Sequence, residues 1–152
     1  MPINLDEITI QTIKEQRYCR TQKFYEIKRH YQNVKEWGEE YVLPTGSLYT
    51  VKYMIVKPGA SCSVHFHQNK EECFTLVQGK LELTYWDKYG NSTLFLMYKP
   101  LDSVILGNLT PHTFTVPEDQ EYDTIFIESS TPDSSGDSYR LTKSHDPNIS
   151  NR

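Results

Sequence analysis

The sequence predicts an all-β fold, an antiparallel sandwich or barrel, for the central part of the chain. From Tyr41 onward, short segments rich in β-branched and aromatic residues alternate with Gly, Pro, Asn and Asp. These segments follow one another at spacings of roughly 8 to 12 residues, and no long helical segment separates them. A parallel sheet would need such connecting helices, so the pattern favours antiparallel pairing.

About eight strands are predicted within this region. Turn signals such as Pro58-Gly59, Gln78-Gly79 and Thr110-Pro111 divide them. The predicted strands span residues 48–57, 61–67, 72–78, 80–86, 93–98, 103–106, 112–116 and 121–128.

The two ends of the chain differ from its centre. Residues 1–36 mix charged and apolar side chains without a period of two, which predicts a helical or partly extended arm. The barrel domain is predicted at 37–130. Residues 131–152 form a C-terminal extension, and from Ser129 the sequence is rich in Ser, Thr, Asp and Pro, which predicts a loose tail or an arm laid on a neighbouring surface.

Composition excludes several classes of function. The chain has 152 residues, 37% of them hydrophobic, and a formal net charge of -4, which suits one compact domain with no electrostatic footprint for nucleic acid or anionic membranes. No apolar run approaches the roughly 20 residues of a membrane-spanning helix, and the N-terminus lacks the features of a signal peptide. We therefore expect a cytoplasmic protein.

Cys19, Cys62 and Cys73 lack CxxC spacing and are interpreted as apolar thiols.

The segment around residues 65–72 carries the residues most informative about function. His65 and His67 are two residues apart, so on a strand both imidazoles lie on the same face. Glu72 is in phase with Phe74 and Leu76, which places its carboxylate in an apolar interior. An ionised carboxylate does not remain unpaired there, and a cation would stabilise it.

A third imidazole, that of His112, begins another predicted strand and shares the inward face with Phe114 and Val116. Two or three imidazoles with one carboxylate, and coordination positions left for water or substrate, suit one divalent ion. Iron, manganese, nickel and zinc all remain possible.

The spacing of these residues resembles a family motif. The segment from Gly59 to Gly79 is similar to the first motif of the cupins. In it, five residues separate Gly59 from His65, one separates His65 from His67, four separate His67 from Glu72, and six separate Glu72 from Gly79. The resemblance implies a jelly-roll β-barrel of cupin type that holds a metal ion near its mouth. It also implies that the metal ligands are His65, His67, Glu72 and His112.

The second cupin motif resembles the segment from Pro100 to His112. Leu101 and Leu109 stand where glycines are usual in that motif, and Leu106 stands where proline is usual. These departures affect turn geometry and leave the histidine in place.

Two flanking segments are similar to the mannose-6-phosphate isomerase branch of the cupins. Residues 35–38, Lys-Glu-Trp-Gly, resemble its Lys-Pro-Trp-Gly opening, and residues 128–141 resemble its Ser-Thr-Pro segment. This resemblance implies a small-molecule carbohydrate as the substrate. The sequence itself shows no evident basic cluster near the metal strands.

The function expected from this resemblance is that of an aldose-ketose isomerase of a sugar or sugar phosphate, or of a related sugar-modifying enzyme. A metal ion can polarise a sugar carbonyl while a base moves a proton between adjacent carbons. The catalytic base is unknown. The polar residues nearest the proposed metal strands are Glu71, Tyr53, Lys52 and Lys80, and the aromatic residues that could stack on a sugar are Trp37, Tyr85 and Trp86.

Two other classes of function remain open. The same ligands with iron could serve a dioxygenase, and a barrel of this kind could also bind a sugar without turnover. Because a single barrel exposes strand edges that a Tyr- and Phe-containing N-terminal arm could cover on a partner, we expect a homodimer.

Overall fold

The computed structural model describes residues 30–145 and confirms the all-β prediction. In this range the chain forms eleven strands arranged in two antiparallel sheets. The described residues include no helix long and apolar enough to cross a membrane. Most of the predicted N-terminal arm and Cys19 lie outside the described range.

Six strands form the larger sheet, in the spatial order β1-β2-β3-β10-β5-β8. Each of its neighbouring pairs is antiparallel. The strands are β1 (Tyr31–Lys35), β2 (Gly38–Leu43), β3 (Thr50–Val56), β10 (Thr124–Ser130), β5 (Glu72–Gln78) and β8 (Ser103–Leu106).

Five strands form the smaller sheet, in the order β11-β4-β9-β6-β7. It contains the two-residue strand that carries the first predicted metal ligand. The strands are β11 (Tyr139–Arg140), β4 (His65–Phe66), β9 (His112–Thr115), β6 (Leu81–Trp86) and β7 (Ser92–Met97).

The core lies between the two sheets and is built from alternate residues of the strands. On β5, burial alternates from Glu72 through Phe74 to Leu76, and on β9 it alternates from His112 to Phe114, as the period of two predicts. The rings of Phe74 and Phe114 each contact that of Phe126 on β10, edge to face, with centroids 5.3 and 5.2 Å apart. This packing fixes the strands on both sides of the site.

The predicted strand over 61–67 is wrong in its extent. Only β4 is a strand there, and Ser61 makes isolated bridges to Thr115 and His145. The backbone N–H of Cys62 donates to the Phe114 carbonyl at 3.1 Å, and both Cys62 and Ser63 are buried. Simple alternation therefore fails before His65, because this stretch runs beside β9 with a one-residue shift of register: Ser61 lies opposite Thr115, whereas His65 lies opposite His112.

Both ends of the described chain lie on the barrel. Residues 31–35, predicted as helical or extended, form β1 and pair with β2. At the other end, β10 continues to Ser130, and β11 pairs with β4. For the part of the C-terminal segment that the structure describes, up to His145, the arm laid on a surface is therefore the correct alternative, and that surface is the protein's own smaller sheet.

The degenerate second motif keeps the backbone that glycine would favour. Leu101 and Leu109 have φ angles of 74° and 59° and are the non-glycine residues in the described range with positive φ. A left-handed conformation costs an L-residue with a side chain roughly 1–2 kcal/mol. The Leu109 N–H donates to the carbonyl of His67 at 2.6 Å, so this turn connects the two halves of the predicted metal site.

We expect Leu101→Gly to raise the free energy of unfolding by about 0.5–1 kcal/mol, since it relieves left-handed strain at a side chain that is 80% exposed. The control is Leu48→Gly, because Leu48 is 81% exposed and its φ is not positive. That variant loses about 0.5–1 kcal/mol through glycine's unfolded-state entropy. Urea unfolding measures the free energy of unfolding of both variants. A lower free energy of unfolding in Leu101→Gly would contradict the backbone strain inferred at Leu101.

Candidate metal centre

The fold brings all four predicted ligands together. His65 lies on β4, directly opposite His112 on β9, while Glu72 begins β5 in the facing sheet. His67 follows β4 in the loop that leads to β5. One donor atom from each of the four residues lies within 4.8 Å of the other three donor atoms. Two strands of the smaller sheet, one strand of the larger sheet and the loop after β4 therefore converge on one point.

Each imidazole is oriented by a backbone carbonyl. The Nδ1 atoms of His65 and His112 lie 2.8 Å from the carbonyl oxygens of Ser63 and Thr110, and the Nδ1 of His67 lies 2.5 Å from that of Asp137. A carbonyl only accepts hydrogen bonds, so each Nδ1 must carry the proton. In the neutral rings, each Nε2 therefore presents a lone pair.

His112 and Glu72 test whether a cation fits between these donors. The Nε2 of His112 lies 2.8 Å from Oε1 of Glu72, yet it is buried and makes no geometrically acceptable hydrogen bond. Two acceptor atoms thus face each other at close range in the interior. A divalent ion bound by both removes that repulsion, and the set of three imidazole nitrogens and one carboxylate oxygen suits such an ion.

Electrostatics keep the neighbouring groups in the protonation states that this site needs. Burial, together with the adjacent His112, lowers the pKa of His65 to about 4, so its ring is neutral at pH 7 and can bind a metal. Burial raises the pKa of the Cys62 thiol to about 11. Cys62 is therefore protonated at pH 7, and it is not one of the four residues whose donor atoms converge.

Glu72 is ionised because other charges outweigh its burial. Burial alone would raise the pKa of its carboxyl, but the nearby ammonium group of Lys70 holds that pKa below its usual range. The Lys70 Nζ lies 3.0 Å from Oε2 of Glu72, whereas Oε1 faces His112 and His67. The two carboxylate oxygens therefore have different partners.

Lys70 belongs to a network of buried charges. Its Nζ also contacts Glu128 at 2.5 Å and Asp133 at 3.1 Å, and the Nζ of Lys52 contacts the same two carboxylates. Burial would lower the pKa of Lys70, but Glu128 and Glu72 raise it above its usual value, so the side chain is charged. Sequence reasoning missed Lys70, because a lysine in a turn ordinarily points to solvent.

A cavity of about 960 Å³ is lined by three of the four predicted ligands, His65, His67 and Glu72. Of the residues considered earlier as a base or as stacking aromatics, Lys52 and Trp37 line it. Glu71 is exposed, and Lys80 pairs with Asp119 at 3.2 Å. Several cationic side chains from distant parts of the sequence line this cavity, but acidic side chains line it as well: Lys35, Lys52, Lys70, Arg140 and Lys143, with Glu36, Glu40, Glu72, Glu128, Asp133 and Asp137. The charge of the lining is therefore mixed, and Lys35, Lys52 and Lys70 each pair with one of these carboxylates.

Comparison with known proteins supports a family assignment. The sequence model of the family described as mannose-6-phosphate isomerase C-terminal matches residues 22–119. A mannose-1-phosphate guanylyltransferase from Salmonella muenchen is 28% identical over 139 residues, which cover 91% of this chain and 28% of that protein. The alginate biosynthesis protein AlgA of Pseudomonas putida is 33% identical over 75 residues, 49% of this chain and 14% of that protein.

Solved structures agree on the fold. The capsular polysaccharide assembling protein CapF from Staphylococcus aureus has a TM-score of 0.64 at 22% identity, over 76% of this chain and 33% of its own. The oxalate decarboxylase of Lactobacillus farciminis has a TM-score of 0.62 at 17% identity, over 78% of this chain and 38% of its own.

These relatives are much longer proteins, since the chain spans less than a third of the curated relatives that it matches. The matched residues include β1 to β9 and the three-histidine, one-glutamate cluster described above. The chain belongs to the mannose-6-phosphate isomerase C-terminal family, a branch of the cupins.

Proposed function

We propose that this protein is a metal-dependent enzyme that interconverts an aldose and a ketose, with a sugar or sugar phosphate as substrate. His65, His67, Glu72 and His112 hold the metal ion. The observation that carries the proposal is the convergence of three imidazole Nε2 atoms and one carboxylate oxygen at the wall of a large polar cavity. The similarity to a mannose-1-phosphate guanylyltransferase and to AlgA supports a carbohydrate substrate.

The reaction needs a Lewis acid and a proton-transfer group. When bound, a divalent ion supplies a charge that polarises the sugar carbonyl and the neighbouring hydroxyl. A base then removes the proton from C2 of the aldose, the carbonyl oxygen gains a proton, and a proton is delivered to C1 as the C2 hydroxyl becomes a carbonyl. Titratable side chains outside the four ligands also line the cavity, among them Lys52, Glu128 and Asp133.

A ligand set of this size favours the isomerase over an oxygenase. Non-haem iron oxygenases commonly use two histidines and one carboxylate, which leave more positions open for dioxygen. Here a third imidazole, that of His112, is fixed in the same cluster by the Thr110 carbonyl. The charged cavity wall likewise suits a polar, hydroxyl-rich substrate.

Lys70 keeps the site folded before metal binds. Its ammonium group neutralises buried negative charge on Glu72 and Glu128, two side chains that are each more than 90% buried. Removing one member of a buried ion pair leaves the remaining charges uncompensated.

We therefore expect Lys70→Met to lower the free energy of unfolding of the metal-free protein by about 3–5 kcal/mol. Lys80→Met is the matched control, because Lys80 pairs with Asp119 on the surface, and it changes stability by less than about 1 kcal/mol. Urea unfolding in the presence of a chelator measures both. Equal effects of the two substitutions would show that the Lys70 network does not carry buried charge.

Isotope exchange tests the activity. The metal-free protein is reloaded with one of five ions: Mn²⁺, Fe²⁺, Co²⁺, Ni²⁺ or Zn²⁺. It is then incubated in D₂O with aldoses and their phosphates. NMR follows the formation of ketose and the exchange of the transferred proton with solvent. We expect turnover with at least one ion, and at least a 100-fold loss in the His65→Ala/His67→Ala double variant.

The control for that double variant is His30→Ala, since His30 is exposed and outside the cluster. Sugar binding without turnover under every metal would replace the proposal with a non-catalytic binding module. Dioxygen consumption with iron alone would replace it with an oxygenase.

A further inference from the structure

We infer that Asp137 is a positioning residue for the metal centre, and that docking of the C-terminal segment 133–145 on the barrel is coupled to metal binding. This inference rests on the proposed metal site and adds a residue outside its four ligands. It follows from contacts that Asp137 and its neighbours make with the segment 64–69.

Asp137 holds the His67 loop through two different groups. Its carboxylate accepts the backbone N–H of Gln68 at 2.7 Å and that of Asn69 at 3.0 Å, while its main-chain carbonyl accepts the Nδ1 proton of His67. The side chain is 9% exposed. One buried residue therefore fixes both the path of the loop and the ring orientation of a proposed ligand.

The residues after Asp137 extend this contact along β4. Tyr139 and Arg140 pair with Phe66 and His65, and the Tyr139 ring stacks on Phe66 with centroids 5.0 Å apart. The Leu141 N–H donates to the Val64 carbonyl at 2.7 Å. The ligand-bearing strand is only two residues long, and on its other side the paired residues are His65 and His112.

Coupling follows from this arrangement. β4 needs the C-terminal segment as its outer neighbour, and the Nε2 of His67 points at the site only while Asp137 holds its ring. If docking strengthens metal binding by a given factor, thermodynamic linkage requires that metal strengthen docking by the same factor. The segment also lines the cavity through Ser134, Ser138 and Arg140, so the same docking completes the substrate site.

A matched pair of variants tests the positioning role. Asp137→Asn removes the carboxylate that accepts two backbone amides, and Asp102→Asn does the same in the β7–β8 turn, where Asp102 accepts the amides of Tyr98 and Lys99 at 3.0 and 2.9 Å. We expect Asp137→Asn to weaken Co²⁺ and Zn²⁺ binding about 10- to 100-fold and to alter the visible absorption of bound Co²⁺. Asp102→Asn leaves both unchanged.

A second measurement uses the unaltered protein and does not depend on the folding of a variant. Trypsin can cut after Arg140 and Lys143 when the segment leaves the barrel, and after Lys88 in the exposed β6–β7 turn regardless of docking. We expect Zn²⁺ to slow cleavage after Arg140 and Lys143 about tenfold or more and to leave cleavage after Lys88 unchanged.

The outcomes separate the inference from the proposed function. The coupling alone would be overturned if the two variants had equal metal affinity and equal Co²⁺ spectra. It would also be overturned if the protein bound metal but cleavage after Arg140 and Lys143 were not slowed. Absence of metal binding by the unaltered protein would overturn the proposed metal centre as well. Neither readout requires turnover, so a failed search for isomerase activity leaves this test intact.

Discussion

The site depends on one constraint, which is that each of three imidazoles donates its Nδ1 proton to a backbone carbonyl. Those carbonyls belong to Ser63, Asp137 and Thr110, so the ring orientations are set by main-chain geometry. The left-handed turn at Leu109 and the strand register between β4 and β9 also fix the backbone around these carbonyls. The Nε2 lone pairs and a carboxylate oxygen then face one another, and a cation bound between them would remove their mutual repulsion.

Charge balance explains how so polar a site is tolerated inside a small barrel. Glu72 lies deep between the sheets, and the ammonium of Lys70 compensates it from the side that the imidazoles leave free. Glu128 and Asp133 pair with Lys70 and Lys52. These pairs keep buried charges satisfied and present a polar wall to the cavity, which fits a hydroxyl-rich ligand better than an apolar one.

Much of this architecture could be predicted from the sequence, because period-two burial on β5 and β9 reveals the inward faces that carry Glu72 and His112. The extent of the strand at 61–67 and the roles of Lys70 and Asp137 could not. Lys70 lies in a turn, and Asp137 lies in a Ser-rich stretch typical of a loose tail. Asp137 acquires its role from contacts with Gln68 and Asn69, and Lys70 is also held by Glu128. These partners are more than fifty positions away along the chain, which local patterns do not encode.

X-ray absorption at the metal edge, on the protein loaded with one equivalent of zinc, tests the central claim most directly. The account predicts three imidazole nitrogens and an oxygen donor at about 2.0–2.2 Å, with the imidazole signal falling to two rings in His67→Ala. Fewer than three imidazoles in the unaltered protein, or a sulfur ligand from Cys62 at about 2.3 Å, would contradict it.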